Sequence, residues 1–425
     1  MRATVLSDPG TRHAHAGVMA AQDPRPAARA WTELLAMLLG LLLAVFAACD
    51  VVYGQAVPEL QLSARAAVLI DAHSGRVLFE KNAHEPLPPA SVTKVFTLVV
   101  ALEALRDGQV SLDDLVTVSR RAAGMGGNQV YLEVGEQMTL RDLLYGIAVE
   151  SANDAAVAVA EYIAGSEEAF ARLMNERARA LGARNTDLSN ASGLPPADIG
   201  MPGRNHVTSA YDIAIVSRYG YSLPMFEELV STYGPYRVRV GTRAEREFWN
   251  RNRLLRFYEG ANGIKTGYTQ EAGYCLAASA VRNNLHLIAV VLGAPTREDR
   301  DEDIRTLLNW GFSRYQAQPV VQEDELLGEV RVAKGLAERV AVFPERPLFV
   351  AVPRGGQVQV EREVHLPERV LAPVEKGAPL GELVIRLDGE ELERVALVAR
   401  DGVPRGGAWD LVVRTLRRLM GSLLS

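Results

Sequence analysis

Ser91 and Lys94 stand three positions apart at the head of an otherwise apolar run, Pro88 to Leu105, which reads PPASVTKVFTLVVALEAL. After two prolines the chain can open a helix, and on a helix that spacing puts hydroxyl and amine on one face, about 5–6 Å apart at Cβ. That is a nucleophile beside a base. Lys94 is the only charged residue between Val92 and Glu103, so the helix should be buried on all sides. Apolar surroundings disfavour an ammonium and push Lys94 toward the neutral amine that takes a seryl proton. First-turn N–H groups and the helix dipole favour an oxyanion at Ser91. Taken alone, the pair also fits a serine N-cap and a lysine whose ammonium reaches out to water.

Two further groupings follow downstream. Ser151-Ala152-Asn153 falls at a break between two helical patterns and offers a second hydroxyl and an amide; Lys265-Thr266-Gly267 falls in a strand pattern, where glycine lets a substrate backbone come close. Each has a plainer reading. Ser151 and Asn153 are ordinary helix-capping types, and Lys265 could guard an edge strand against aggregation.

The elements that must position these residues are legible in outline. Ala66 to Asp71 and Arg76 to Glu80, around a His73-Ser74-Gly75 turn, predict a β-hairpin. Helices are expected from Thr139, as cap, to Val149, then over Asp154 to Ala164, Glu167 to Leu181 and Ser209 to Tyr219. A Gly-, Pro- and Asn-rich loop covers Asn185 to His206. Cys275 to Val281 and Leu285 to Leu292 predict a second hairpin, and Asp301 to Tyr315 another helix. Strands at both ends with helices between imply one antiparallel sheet closed by the two ends of a domain, with a helical subdomain inserted. After about Gln316 short β-patterned runs replace helical periodicity, as at Arg339 to Phe343, Leu348 to Val352 and Leu383 to Leu387.

At 425 residues, with 48% hydrophobic and 23% charged residues, the chain should be globular, with two domains plus appendages. A net charge of -6 gives no basic footprint for nucleic acid. Two cysteines cannot build a disulfide framework, and Cys275 reads as a buried free thiol. Residues 1–56 read as a secretory signal: Arg25 and Arg29, an apolar run from Leu34 to Cys49, then Gly54-Gln55-Ala56 as a cleavage site. Ala47-Ala48-Cys49 also suggests a lipoprotein site, which Phe46 fits poorly. In 406–425, Trp409, Val412, Val413, Leu416, Leu419, Met420 and Leu423 share a helical face opposite Arg414, Arg417 and Arg418, which predicts an in-plane anchor on a membrane surface.

Together and in order, the three groupings match the S-x-x-K, S-x-N and K-T-G set of β-lactamases and penicillin-binding proteins. From about Leu60 to its C-terminus the chain resembles the serine-type D-alanyl-D-alanine carboxypeptidases, low-molecular-weight penicillin-binding proteins. The resemblance extends to SANDAA at 151, MNERARALG at 174, NHVTSAYD at 205 and NGIKTGYTQEAGYC at 262. It implies an α/β transpeptidase-like catalytic domain over 60–316 and a β-rich domain over 317–405. It implies Ser91 as acylated nucleophile, Lys94 as its base, Ser151 as proton relay and Asn153 as holder of the acyl amide. Lys265 would order the cleft electrostatically, the Ser91 and Tyr268 N–H groups would donate to the oxyanion, Gly267 would let the substrate backbone approach, and Thr266 with Arg251 or Arg300 would hold the terminal carboxylate. Each arginine equally fits a structural ion pair. Some relatives have histidine at the Tyr268 position. Peptidoglycan stem peptides would be the substrates and β-lactam antibiotics covalent inhibitors, with no cofactor and no metal. A β-lactamase would need a deacylating carboxylate, and no E-x-x-L-N run lies between Asn153 and Lys265. Cross-link endopeptidases would share every one of these residues, whereas a non-catalytic wall-binding module should have lost one.

Overall fold

The computed structural model describes Met37 and residues 60–356, 359–387 and 389–407; the rest of the expected leader, Cys49 and the cationic stretch 409–423 lie outside them. The chain from Gln61 onward forms one compact unit.

Strand β1 (Ala66–Asp71) turns back into β2 (Val77–Lys81). Helix α1 (Lys94–Arg106) follows, and short strands β3 (Leu115–Thr117) and β4 (Gln137–Thr139) pair as a ribbon. Helices α2 (Leu140–Tyr145), α3 (Asn153–Ala164), α4 (Glu167–Ala180) and α5 (Ala210–Gly220) make the subdomain, followed by a second ribbon, β5 (Tyr236–Val238) with β6 (Arg246–Phe248). Strands β7 (Ala261–Thr269), β8 (Gly273–Arg282) and β9 (Leu285–Ala294) then lead into α6 (Arg297–Arg314). The sheet is antiparallel in the order β2-β1-β9-β8-β7, so the two ends of the domain meet at β1 and β9. Every residue of β1 is buried. Helices cover both faces: Ala66, Val68 and Ile70 join the core shared with the helical subdomain, while Leu69 lies against Gly311 of α6. That is why this strand reads as a continuous apolar run without alternation.

Helix α1 has apolar residues on all faces because it packs against α3, α4 and α5 together, and Lys94 through Ala104 are all buried. Its start differs from the sequence expectation. Ser91 belongs to a separate 3₁₀ turn, Ala90–Thr93, and the α-helix begins at Lys94. In 3₁₀ geometry residues i and i+3 eclipse, which sets Ser91 more directly over Lys94 than an α-helical turn would. The helix expected up to Val149 changes as well: α2 ends at Tyr145, with Thr139 accepting from Asp142 N at 3.1 Å, and widens into a π turn over Gly146–Glu150. Ser151 is the C-cap of that turn, in the left-handed region at φ 66°, and does not cap the helix that follows, whose N-cap is Ala152.

Past α6 the chain is β-structured. Strands β10 (Tyr315–Val321) and β13 (Leu348–Pro353) pair as one ribbon. A six-stranded sheet, β14-β16-β17-β12-β11-β15, is built from β11 (Gly328–Ala333), β12 (Arg339–Pro344), β14 (Val360–His365), β15 (Arg369–Leu371), β16 (Pro379–Leu387) and β17 (Glu390–Ala399). Its own core contains Val330, Val332, Val340, Leu383, Ile385 and Leu397. Polar ties to the first domain include Ala351 N donating to Asp71 Oδ2 at 3.1 Å, Arg354 donating from its guanidinium to Phe312 O at 3.1 and 2.9 Å and from its backbone N–H to Arg314 O at 2.7 Å, and the Arg218–Glu393 ion pair at 3.9 Å.

Candidate active site

Lys94 is fully buried, and its Nζ has three oxygen neighbours: Ser91 Oγ at 3.1 Å, Asn153 Oδ1 at 2.7 Å and the Ser192 carbonyl at 2.5 Å. Two of the three, an amide oxygen and a backbone carbonyl, can only accept. A neutral amine has two N–H bonds and one lone pair. Giving both N–H bonds to Asn153 and Ser192 leaves the lone pair directed at the Ser91 hydroxyl. Burial drives the Lys94 pKa well below the ordinary lysine value; the Lys265 cation adds to this, and Asp154 and Glu167 oppose it.

Asn153 is held in turn. Its Nδ2 donates to Gly126 O at 2.7 Å, and its backbone N–H donates to Asn128 O at 2.8 Å. Gly127 runs so close, at φ 78°, that a Cβ there would lie 2.8 Å from Asn153 Nδ2. Asp154 fixes the same loop by accepting from Val130 N and Leu132 N at 3.1 and 3.0 Å. The Ser192 carbonyl is aimed by Asn190, whose Oδ1 accepts from Ser192 N, Ser192 Oγ and Gly193 N at 3.1, 3.0 and 2.7 Å. Glu167, paired with Arg121, accepts from Ala191 N at 3.1 Å. His206 closes this layer. Its Nδ1 accepts from Ser189 N at 3.2 Å, so Nε2 carries the proton and donates to Thr93 Oγ1 at 2.8 Å, and burial beside Lys94 lowers its pKa to about 3.

Across the site, β7 passes the Ser91 turn at backbone distance. A Cβ on Gly267 would lie 2.7 Å from Pro89 O and 3.1 Å from Ser91 N. Only glycine permits that approach. Lys265 is buried on this strand and donates to Thr266 O at 3.0 Å. Burial, reinforced by Arg251 and Arg300 and opposed by Glu150, lowers its pKa to about 7. It therefore does not serve as a solvated edge-strand guard. Ser151 Oγ is buried and has no hydrogen-bond partner among the described residues, an open position for an incoming group. The Tyr268 side chain is exposed and lies against Tyr274, ring centroids 4.4 Å apart.

Ser91, Ser151, Thr266, Gly267, Tyr268, Arg251 and Arg300 line one cleft of about 520 Å³. Lys94, Asn153 and Lys265 sit behind its wall. Both candidate arginines reach the cleft while holding carboxylates: Arg251 Nη2 donates to Glu150 Oε1 at 2.5 Å, and the Arg300 guanidinium to Asp301 Oδ1 at 2.8 and 2.6 Å. Sequence reasoning missed Asn190, Ser192, the Gly126–Asn128 loop and His206. Among the described residues, no group of three or more His, Cys, Asp or Glu side chains could hold a metal ion, and no helix is long and apolar enough to cross a membrane.

A cleft-lining serine beside a buried lysine at the root of a helix, facing a Lys-Thr-Gly strand across the cleft, defines the penicillin-binding class of active-site serine proteins. The chain belongs to the D-alanyl-D-alanine carboxypeptidase family, whose model matches residues 53–296; a second model, penicillin-binding protein 5 C-terminal domain, matches residues 315–405. The chain is 38% identical to D-alanyl-D-alanine carboxypeptidase DacF of Bacillus subtilis over 388 residues, 90% of this chain and 97% of that one. Among solved structures it resembles penicillin binding protein 5 from Haemophilus influenzae, with TM-score 0.60 and 31% identity over 82% of this chain and 100% of the other. Penicillin-binding protein D2 from Listeria monocytogenes in the ampicillin-bound form aligns with TM-score 0.53 and 31% identity, over 60% of this chain and 100% of that one.

Proposed function

We propose that this cleft removes the terminal D-alanine from peptidoglycan stem pentapeptides through an acyl-enzyme on Ser91. The observation that carries the reading is the three-contact environment of Lys94. Ser91 gives its proton to the Lys94 lone pair as Oγ attacks the penultimate D-alanine carbonyl, and the oxyanion is met by the N–H groups of Ser91 and Tyr268 where β7 crosses the turn. The C–N bond then breaks. The departing amine takes its proton from Ser151, whose unpartnered hydroxyl suits a relay to Lys94. Asn153 positions the acyl amide, Lys265 orders the cleft electrostatically from behind its wall, and Thr266 with Arg251 and Arg300 holds the departing carboxylate. Water then hydrolyses the ester by the reverse proton route. A β-lactam presents the same carbonyl and carboxylate, so it should acylate Ser91 too. No Asp or Glu lines the cleft among the described residues, which supports slow release of that adduct.

The domain assignment proposed with it is a catalytic unit over 60–316 and a β-rich spacer over 317–405. The leader-like composition of 1–56 supports export to the cell envelope, and the cationic amphipathic pattern in 406–425 supports attachment to the outer face of the cytoplasmic membrane. The test is covalent labelling by a fluorescent penicillin together with D-alanine release from a pentapeptide. Ser91→Ala should lose both, and wild-type labelling of that variant would move the nucleophile elsewhere.

A further inference from the structure

The ribbon of β5 and β6 stands apart from the central sheet, and it grips the chain that backs the cleft. Arg239 follows directly after β5, with its backbone in the left-handed region at φ 55° and its side chain 12% exposed. Its guanidinium makes four hydrogen bonds. Nε and Nη2 donate to the two carboxylate oxygens of Glu136 at 2.6 and 2.9 Å, Nη1 donates to Val130 O at 3.0 Å, and Nη2 donates also to Tyr131 O at 3.1 Å. From β6, the Arg246 guanidinium lies over the Tyr131 ring, 4.3 Å from its centroid. A planar fork is what lets one side chain hold a carboxylate and two carbonyls together.

The gripped stretch needs holding. Tyr131 has φ 58°, a conformation rare for a bulky side chain and one that persists only where the surroundings fix it. The same stretch carries Asn153: Gly126 O and Asn128 O accept from its side-chain and backbone N–H groups, and Val130 N and Leu132 N, on either side of Tyr131, donate to Asp154. The bond to Gly126 decides which end of the Asn153 amide faces Lys94. With Nδ2 engaged there, Oδ1 is left to accept from Lys94 Nζ. Once Gly126 withdraws, the amide is free to turn, and its N–H can take the lone pair that Ser91 needs.

We propose that Arg239 is a positioning residue for acylation: by clamping Val130, Tyr131 and Glu136 it fixes the segment Gly126–Leu132, through that segment the Asn153 amide, and through the amide the Lys94 lone pair toward Ser91. The inference rests on the reaction assigned above. Arg239 itself is not among the residues lining the cleft, so its effect travels along these contacts.

The test measures, across pH, the rate of Ser91 acylation by saturating labelled penicillin, per titrated site. Arg239→Gln should acylate about 10–100-fold more slowly than wild type, the range expected when a hydrogen-bonding group at the reacting centre is misplaced. Its acid limb should move to lower pH. The Asn153 oxygen favours the Lys94 ammonium, so its loss favours the neutral amine further, while Lys265, Asp154, Glu167 and the neutral His206 stay as they are around Lys94. Removing a cation that acted only through space would move the limb the other way, and a loosened fold would not move it. Arg239→Lys keeps the charge at Glu136 without the fork, so it should recover only part of the rate, and it carries the test if Arg239→Gln does not fold. In an Asn153→Ala background, Arg239→Gln should cost less than about two-fold more, since the contact it acts through is already gone. An acid limb that stays or moves to higher pH, full recovery with lysine, or losses that multiply in the double variant would overturn the assignment. D-alanine release from a pentapeptide is followed in the same samples. If wild type neither labels nor releases D-alanine, the underlying reaction is wrong; if it does both and Arg239→Gln matches it, only the positioning role is.

Discussion

Replacing Lys265 with methionine should make the protein more stable near neutral pH while it loses acylation. Lys265 is buried, with its pKa lowered from 10.5 to about 7, burial being the largest cause. A folded-state value below the unfolded one means that the unfolded chain binds more protons throughout that window. Wild-type stability therefore rises with pH from about 7 toward 10.5. The full window corresponds to about 5 kcal/mol, and the accessible part between about pH 7 and 9 to about 3 kcal/mol. Methionine keeps the length without the charge, so Lys265→Met should lack this slope and exceed wild type in stability by its largest margin at the acidic end. Urea unfolding at several pH values, followed for both proteins, measures the difference directly. Lys265 also lowers the Lys94 pKa, so the variant's residual acylation should need more alkaline pH than that of wild type. Parallel stability curves for the two proteins would refute the claim that Lys265 is a costly buried cation, and an unshifted acylation profile would refute the coupling between the lysines.

Lys94→Arg, permanently charged, should lower the rate of penicillin acylation by about 10²–10⁴-fold with the circular dichroism spectrum unchanged; near-normal labelling would remove Lys94 as base. Gly267→Ala places a Cβ 2.7 Å from Pro89 O, so β7 and the Ser91 turn must separate; acylation should fall by about 10²-fold while the fold survives, read by stopped-flow labelling. Removing 408–425 should release protein from membrane vesicles with pentapeptide hydrolysis intact, and a truncated protein that stays in the membrane fraction would point to the apolar run at Leu34 to Cys49 instead.

The three side-chain motifs and the closed antiparallel sheet were legible in the sequence because each has a local signature: a lysine in an apolar helix, a serine at a helix break, alternating or continuous apolar strands. The groups that orient them were not. Ser192 acts through a carbonyl, which every residue has, and Asn190 acts by folding its own loop. The loop from Asn185 to His206 reads only as turn-rich until α1 is seen passing beneath it. Likewise the π turn before Ser151 keeps helical composition, and the three-residue strands β3 to β6 are too short for periodicity to appear. For Arg251 and Arg300 the sequence left two roles open; each makes the ion pair and also lines the cleft, and the substrate role remains part of the proposal above.

The carbonyl that holds Lys94 bears on which changes the gene can use under antibiotic selection. Asn153 can be exchanged by a codon change, but no substitution deletes the oxygen of Ser192. It can only be moved, by altering Asn190 or the loop around it. Gly193 restricts even that route, since a Cβ there would lie 2.0 Å from Ala90 O. Any shift large enough to admit a side chain displaces the nucleophile's own turn. Slower acylation by penicillin is therefore hard to reach through this loop without slowing the peptide reaction as well, and tolerated variation should gather at the exposed rim of the cleft.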